Sequence, residues 1–251
     1  MAGIGISMQI TAPWHFGTRY AGQTLNWLPT DTKESYDKMM QDPVHRDYFA
    51  QKGWDRPDAI TYRINSNGFR GAEFVANSCV LTLGCSYSMG MGLPESAIWP
   101  TLVGNSLELN ICNLSWPGAS ADTCFMLAQY WIPELRPALV VVAAPPQHRL
   151  DLLEDHEHTT YMPGQDLIAD KFIQTWFTVD RNSKLNNARN KYAIQGICAQ
   201  YSIPCLTYDA HEYFARSREE VEYARDYLHA GPRGHQMFAE RILDDWRKKY
   251  A

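Results

Sequence analysis

Residues 80–93 read VLTLGCSYSMGMGL and place a serine, Ser86, directly after a short apolar run that breaks at Gly84. Small and flexible residues surround this serine. A hydroxyl at the end of a buried strand can act as a nucleophile when a general base lies within hydrogen-bond reach. The alternative is a serine that only caps the next helix, which is a common role for this residue type.

A second segment, near the end of the chain, could supply the base. In the sequence ARDYLHAGPRGH, Asp226 and His229 are three residues apart, just before an amphipathic segment. A nucleophilic serine needs a histidine to take its proton and a carboxylate to orient that histidine and stabilise its charged form. Taken singly, Asp226 would be a turn residue and His229 a surface residue. With Ser86 they form a candidate Ser-His-Asp triad for acyl transfer.

The elements that must position these residues alternate between two patterns from residue 79 onward. Short apolar runs predict strands that are buried on both faces of a parallel sheet: CVLTLGC, LNICNLS, ALVVVAA and IPCLTYD. Amphipathic segments predict helices at about Ala97 to Leu107, Ser120 to Trp131, Asn182 to Tyr201 and from Pro232 onward. Together they predict an α/β fold, a three-layer doubly wound sandwich with a mostly parallel central sheet. Such sheets bind ligands at the carboxyl ends of their strands, where Ser86 is expected.

The first 75 residues differ from the rest of the chain. They are rich in aromatic and turn residues, they show no clear periodicity, and no Gly/Ser-rich or Pro-rich linker follows them. We therefore expect two parts: an N-terminal extension over residues 1–75 and a main domain over residues 76–251 on which it packs.

Composition limits the partners that this chain can have. The formal net charge is -5 at pH 7 over 251 residues, and no run of Lys or Arg is present, which argues against nucleic acid or an anionic membrane. No apolar segment has the length of a membrane helix, and no secretory signal pattern is visible. The six cysteines include no CxxC pair and are expected to be reduced and mostly buried.

Two histidines at a spacing seen in metal sites occur in the segment LEDHEHTTYMPG. His156 and His158 stand next to Asp155 and Glu157. An exposed acidic loop explains this pattern as well as a metal does, and we expect the loop rather than a metal site. His235 lies on the apolar face of the last predicted helix, so we expect it to be packed in the core rather than to act as the base.

Three segments of the chain, in this order, resemble the blocks of the SGNH, or GDSL-like, hydrolase family. LGCSYSMGMGLPESAIWP resembles the nucleophile block, with Cys85 where the family has Asp; NLSWPGASAD resembles the second block and DYLHAGPRGH the last. YRINSNGFRGAEF is similar to the lead-in of many bacterial and phage members, so the resemblance runs from about Tyr62 to Trp246. It implies an SGNH, flavodoxin-like fold with Ser86 as nucleophile, His229 as base and Asp226 as its partner. The backbone N–H groups of Ser86 and Gly118 would donate to the oxyanion.

The third block departs from the family pattern. Where the family has Gly-x-Asn-Asp, with the Asn side chain in the oxyanion hole, this chain has VVVAAPPQHRLDL. The segment resembles a variant subgroup in which a Ser/Thr-Pro stretch and an Arg take that place. Gln147, His148 and Arg149 are the candidate substitutes: Gln147 as an oxyanion donor through its amide, Arg149 as a binder of an anionic or hydroxyl-rich ligand. Each could equally be a solvent-facing loop residue.

The function that these patterns predict is that of a serine acyl hydrolase, an esterase or acetylesterase acting on a small acyl ester such as one on a carbohydrate. The resemblance implies no metal or nucleotide cofactor. Because no signal or membrane segment is visible, we expect a cytoplasmic or virion-associated protein. Losing one oxyanion donor costs about 2.7 to 4 kcal/mol of transition-state stabilisation, so an unreplaced Asn would leave a slow enzyme. A rival function therefore stays open: a binding or structural protein on the SGNH scaffold, for example a saccharide-binding component of a virion or cell surface.

Overall fold

The computed structural model describes residues 16–153, 158–162, 171–209, 213–214 and 222–250. The strands are β1 (Thr24–Leu25), β2 (Tyr62–Arg63), β3 (Cys79–Leu83), β4 (Asn110–Asn113), β5 (Leu139–Ala143), β6 (Leu150–Leu153), β7 (His158–Tyr161) and β8 (Cys205–Tyr208). The helices are α1 (Lys33–Gln41), α2 (Pro43–Lys52), α3 (Ser86–Met89), α4 (Trp99–Leu107), α5 (Ala121–Leu135), α6 (Lys171–Thr178), α7 (Asp180–Gln200) and α8 (Pro232–Tyr250).

The centre of the fold is a four-stranded sheet in the order β4-β3-β5-β8, in which every pairing is parallel. All residues of β3 and β5 are buried, because helices cover both faces of the sheet. Strands β3 and β4 form one half of the sheet, and β5 and β8 form the other. The direction in which successive strands are added therefore reverses between the two central strands, β3 and β5. The predicted doubly wound α/β sandwich is confirmed, and this reversal is where such folds bind ligands.

Alternate residues of the strands contact the two helical layers. On one face, Val140 and Val142 of β5 pack in a cluster with residues of α5 and α7. On the other face, Val141 packs in a cluster with residues of α4 and α8. Burial on both sides fixes the strand ends relative to the helices, so the loops at the carboxyl edge start from rigid positions.

Helix boundaries differ from the predicted ones at several points. Helix α4 begins at Trp99, two residues later than predicted, and α5 continues to Leu135, where Arg136 adopts a left-handed conformation with φ 46°. The N-terminal segment, predicted to lack periodic elements, contains α1 and α2. Each of these helices fully buries one side chain, Tyr36 in α1 and Phe49 in α2. Partly buried residues beside them, Met39 and Met40 in α1 and Tyr48 in α2, complete short apolar stripes that the sequence prediction missed.

The N-terminal segment packs against the loops that follow β3 and precede α8. A third cluster joins its aromatic residues, among them Tyr36, Phe49 and Tyr62, to Met89 of α3 and to Ala224. This is the packing expected of an extension, while the division at residue 75 stays a prediction. Among the described residues, no helix has the length and apolar character to cross a membrane. All six cysteines are free thiols, and five of them are buried.

A buried ion pair fastens this segment to the loop before α8. Arg225 donates from Nε to Asp31 Oδ1 at 2.9 Å and from Nη2 to Asp31 Oδ2 at 2.7 Å. The Tyr62 hydroxyl also donates to Asp31, and Arg225 Nη1 donates to the carbonyl of Pro57. The two charged side chains are 0% and 2% exposed, so each depends on the other for its charge compensation.

Replacing one partner of this pair leaves the other charge buried and uncompensated. We expect Asp31→Asn to lower the free energy of unfolding by about 3 to 5 kcal/mol, the range for breaking a buried ion pair. The measurement is urea denaturation followed by tryptophan fluorescence. Asp37→Asn, which breaks the exposed pair between Lys33 and Asp37, is the control and should cost less than about 1 kcal/mol. Equal losses in the two variants would contradict the structural role of the buried pair.

Candidate active site

The first candidate residue, Ser86, lies at a sharp turn from strand to helix. Strand β3 ends at Leu83, and Ser86 is the first residue of α3. The turn requires glycine at position 84, since a Cβ there would lie 2.3 Å from the Ser88 Oγ and 2.9 Å from the carbonyl oxygen of Ala143. The close approach of α3 to the edge of β5 therefore holds Ser86 at the carboxyl end of the sheet.

The second block forms the turn after β4. Gly118 has φ +85°, a left-handed conformation that favours glycine, and a Cβ there would meet no atom within 4 Å. Two residues later Ser120 caps α5: its hydroxyl accepts hydrogen bonds from the N–H groups of Asp122 and Thr123 in a capping box. The cap fixes the start of α5 and with it the turn that carries Gly118.

The last block folds into a tight turn before α8. An isolated bridge between Tyr223 and Ala230 closes this turn, and Tyr227 has φ 54°. The Asp226 Oδ1 accepts the backbone N–H groups of Leu228 and His229, both at 3.1 Å. The short Asp-x-x-His spacing therefore lets one carboxylate oxygen order the turn while the other remains available to the histidine ring.

These turns bring the three predicted side chains into one hydrogen-bonded chain. The Ser86 Oγ lies 2.8 Å from the His229 Nε2, and the His229 Nδ1 lies 2.6 Å from the Asp226 Oδ2. All three residues are buried, with exposures of 6%, 6% and 3% in the order serine, histidine, aspartate. Since a carboxylate accepts, Nδ1 carries the ring proton and Nε2 can accept the proton of the serine hydroxyl.

The electrostatics of Asp226 favour its charged form. Burial raises its pKa, but hydrogen bonds from His229, Thr30 and the Leu228 N–H, with the charge of His229, outweigh burial and bring the pKa below its ordinary value. An ionised carboxylate is what a histidine needs in order to hold a positive charge during proton transfer. The Tyr87 ring packs edge-on against His229 with centroids 4.9 Å apart and limits rotation of the imidazole.

A cavity of about 470 Å³ opens onto the serine and the histidine. Its wall includes Gly118, Arg149 and two aromatic residues, Tyr20 and Trp116, whose rings stack with centroids 6.2 Å apart. Tyr20 comes from the N-terminal segment, and no motif in the sequence marks it. The cavity combines an apolar wall with polar groups, which is typical of sites for small organic ligands.

Arg149 lies in the wall of this cavity, as a ligand-binding role requires. Its Nη1 donates to the carbonyl of Ala119 at 2.8 Å, so the guanidinium holds the peptide between Ala119 and Ser120, one residue beyond Gly118. A guanidinium has five N–H donors, and this is the one hydrogen bond that it makes to the described residues. Its remaining donors are available for a ligand.

Gln147 is not among the residues that line the cavity of Ser86, and its predicted role as an oxyanion donor stays a prediction. It lines a different cavity, of about 520 Å³, together with His148 and residues of α7. The Ala144 N–H donates to the Tyr208 carbonyl at 2.8 Å. The backbone after β5 therefore stays paired with the end of β8 up to the residue before the two prolines. The loop therefore leaves toward α7, and only its last turn returns Arg149 to the cavity of Ser86.

The remaining histidines have other positions. His235 is fully buried, its Nδ1 accepts the Trp99 N–H at 3.1 Å, and burial lowers its pKa to about 3, so it is a packed, neutral histidine as expected. Of the acidic histidine segment, Asp155, His156 and Glu157 lie outside the described residues. Its end was predicted as loop but forms β7, which begins at His158 and pairs with β6.

Comparisons with known proteins find likeness in structure. No family model and no curated protein matches the chain. Three of the similar solved structures are the psychrotrophic esterase EstA from Pseudoalteromonas sp., a protein from Desulfitobacterium hafniense DCB-2 described as lipolytic and of the G-D-S-L family, and the acetyl xylan esterase Est2A from the rumen bacterium Butyrivibrio proteoclasticus.

These likenesses are distant. EstA is 14% identical, with 68% of this chain and 98% of that chain covered and a TM-score of 0.38. The second protein is 11% identical, with 67% and 99% covered and a TM-score of 0.35. Est2A is 13% identical, with 75% and 68% covered and a TM-score of 0.38. The chemistry of the site therefore has to follow from the side chains of this chain.

The position of Gln147 gives a direct test of the oxyanion assignment. Because its side chain lines a different cavity, we expect Gln147→Ala to leave kcat for an acetyl ester nearly unchanged. Removal of a true oxyanion donor lowers kcat by about 100- to 1000-fold. The measurement is steady-state hydrolysis of p-nitrophenyl acetate, with Arg149→Ala as a parallel variant in the wall of the serine cavity. A loss of that size in Gln147→Ala would show that the loop reaches the oxyanion after all.

Proposed function

We propose that this protein is an SGNH-type serine esterase that cleaves a small acyl ester through Ser86, His229 and Asp226. One observation carries the proposal: the unbroken hydrogen-bonded chain from the serine hydroxyl to the buried carboxylate, with 2.8 Å and 2.6 Å between successive partners. A serine whose only role was to cap α3 would not need a histidine within hydrogen-bond distance of its hydroxyl. The order of the three sequence blocks supports the same function.

In the first half of the reaction, the Ser86 Oγ attacks the carbonyl carbon of the ester. The hydroxyl proton passes to the His229 Nε2, which already lies within hydrogen-bond distance. Asp226 stabilises the imidazolium that forms, through the bond from Nδ1. The tetrahedral intermediate then collapses, His229 returns the proton to the departing alkoxide, and the alcohol leaves an acyl group on Ser86.

In the second half, water replaces the alcohol. His229 removes a proton from the water as its oxygen attacks the acyl carbon, and Asp226 again stabilises the charged ring. Collapse of the second intermediate breaks the bond to the Ser86 Oγ, which regains its proton from His229. The products are a carboxylic acid and an alcohol, and the triad needs no metal or nucleotide for either step.

The N–H groups of Ser86 and Gly118 are the proposed donors to the oxyanion. Within the part of the chain that the structure describes, neither group donates a hydrogen bond, and both residues line the same cavity. Two donors in place of three predict a modest kcat, since one donor contributes about 2.7 to 4 kcal/mol. Arg149 stabilises the arrangement by holding the Ala119 carbonyl, so that the Gly118 turn keeps its orientation.

The cavity supports a hydroxyl-rich alcohol, such as an acetylated sugar, as the leaving group. The stacked rings of Tyr20 and Trp116 offer an apolar surface of the kind that packs against a sugar ring. Arg149 adds donors for hydroxyl or anionic groups of the same ligand. The acyl part has only to reach Ser86, which is consistent with a small group such as acetate.

The experiment that tests the function is hydrolysis of p-nitrophenyl acetate by the triad variants. We expect Ser86→Ala and His229→Ala each to lower kcat by more than about 1000-fold, because the members of a triad act as a unit. Ser88→Ala is the matched control: this serine lies two residues away, is buried and has an Oγ without a hydrogen-bond partner. It should retain most of the activity.

The same experiment distinguishes the esterase from the rival function, a binding or structural protein on the same scaffold. A folded wild-type protein that hydrolyses neither p-nitrophenyl acetate nor acetylated sugars would be a scaffold protein that keeps the triad without turnover. Equal residual rates in wild type and Ser86→Ala would lead to the same conclusion.

A further inference from the structure

The carboxylate of Asp226 has one hydrogen-bond partner that the triad and its own turn do not supply. Three of its bonds come from the turn at residues 226–229: two N–H groups on Oδ1 and the imidazole on Oδ2. The fourth is the hydroxyl of Thr30, which donates to Oδ2 at 2.7 Å from 196 residues earlier in the chain. The imidazole and this hydroxyl therefore share one carboxylate oxygen.

Thr30 is held there in an unfavourable backbone conformation. Its φ is 76°, in the left-handed region, where a β-branched residue is a rare outlier. Such a conformation is strained and persists when the surrounding structure determines it from several sides. Glycine or asparagine would adopt the same φ at less cost, but glycine has no hydroxyl to offer Asp226.

The neighbouring residue supplies the restraint that holds this conformation. Asp31 pairs with Arg225 through two hydrogen bonds, so residues 30 and 31 meet residues 225 and 226 side by side. Arg225 is fixed in turn by its guanidinium, which packs over the Trp27 ring at 4.5 Å and donates to the carbonyl of Asn26. The buried ion pair thus sets the distance between Thr30 and the triad carboxylate.

We propose that Thr30 is a positioning residue of the triad, which fixes the Asp226 carboxylate so that its Oδ2 faces the imidazole of His229. This role rests on the proposed esterase function. It makes the N-terminal segment part of the active site through Thr30, which lies outside every stretch that resembles the family. Thr30 also lines the cavity of Ser86, so its hydroxyl has to be tested apart from its shape. Loss of the hydroxyl alone should lower the rate of the chemical step and have little effect on KM, because the hydroxyl bonds to Asp226.

The test compares three variants of Thr30 in the full chain. Thr30→Val keeps the shape and the branched Cβ but removes the hydroxyl, and we expect it to lower kcat for p-nitrophenyl acetate by about tenfold or more with KM unchanged, as for loss of a hydrogen bond to a charged group. Thr30→Ser keeps the hydroxyl and should restore most of the rate. Thr30→Gly removes both the hydroxyl and the strain, so it should lower kcat like the valine variant while its melting temperature stays at or above that of wild type.

The glycine variant separates positioning from stability. If Thr30 served only the fold, kcat would follow the melting temperature across the three variants and Thr30→Gly would be fully active. Full activity of both Thr30→Val and Thr30→Gly beside an active wild type would overturn the role of Thr30 alone. An inactive wild type would overturn the esterase function and with it this role.

Discussion

The buried ion pair between Asp31 and Arg225 is the interaction on which the candidate active site depends most. It joins a segment near the start of the chain to the loop that carries Asp226 and His229, and it is shielded from solvent on both sides. A buried pair contributes little to net stability compared with an apolar pair of the same shape, but breaking it is costly. Here the pair fixes how the two segments lie relative to each other. In that arrangement the Thr30 hydroxyl donates a hydrogen bond to the Asp226 carboxylate.

The sheet supplies the second constraint. Ser86 and Gly118 follow neighbouring strands, and parallel strands end at one edge, so the proposed nucleophile and oxyanion donors meet without any long-range contact of their own. The proposed base, His229, comes from a loop that is distant in sequence and has no strand to position it. Packing on the N-terminal cluster and the ion pair replace that missing support. The sheet therefore positions Ser86 and Gly118, and the N-terminal segment positions Asp226 and His229.

Much of this arrangement could be predicted from sequence, because the four central strands are continuous apolar runs and the triad residues lie in recognisable blocks. The helices α1 and α2 were not predicted, because their apolar stripes are short and lie in a segment rich in turn residues. The cavity that Gln147 lines could not be predicted either, because the direction of a loop after a strand depends on backbone pairing with β8, which a local pattern does not encode. Thr30 carries no sequence signal at all: its contact spans 196 residues and depends on a strained backbone that only the folded chain enforces.

The central claim is that the hydrogen-bonded chain makes Ser86 an activated nucleophile. The most direct measurement is reaction of the folded protein with a fluorophosphonate at neutral pH, followed by intact mass and peptide mapping. A phosphonate forms a stable bond to an activated serine Oγ, with loss of fluoride. Our account predicts one adduct per chain, located on Ser86 and absent in Ser86→Ala. Labelling that is absent in the folded wild type, or that persists unchanged in Ser86→Ala, would contradict it.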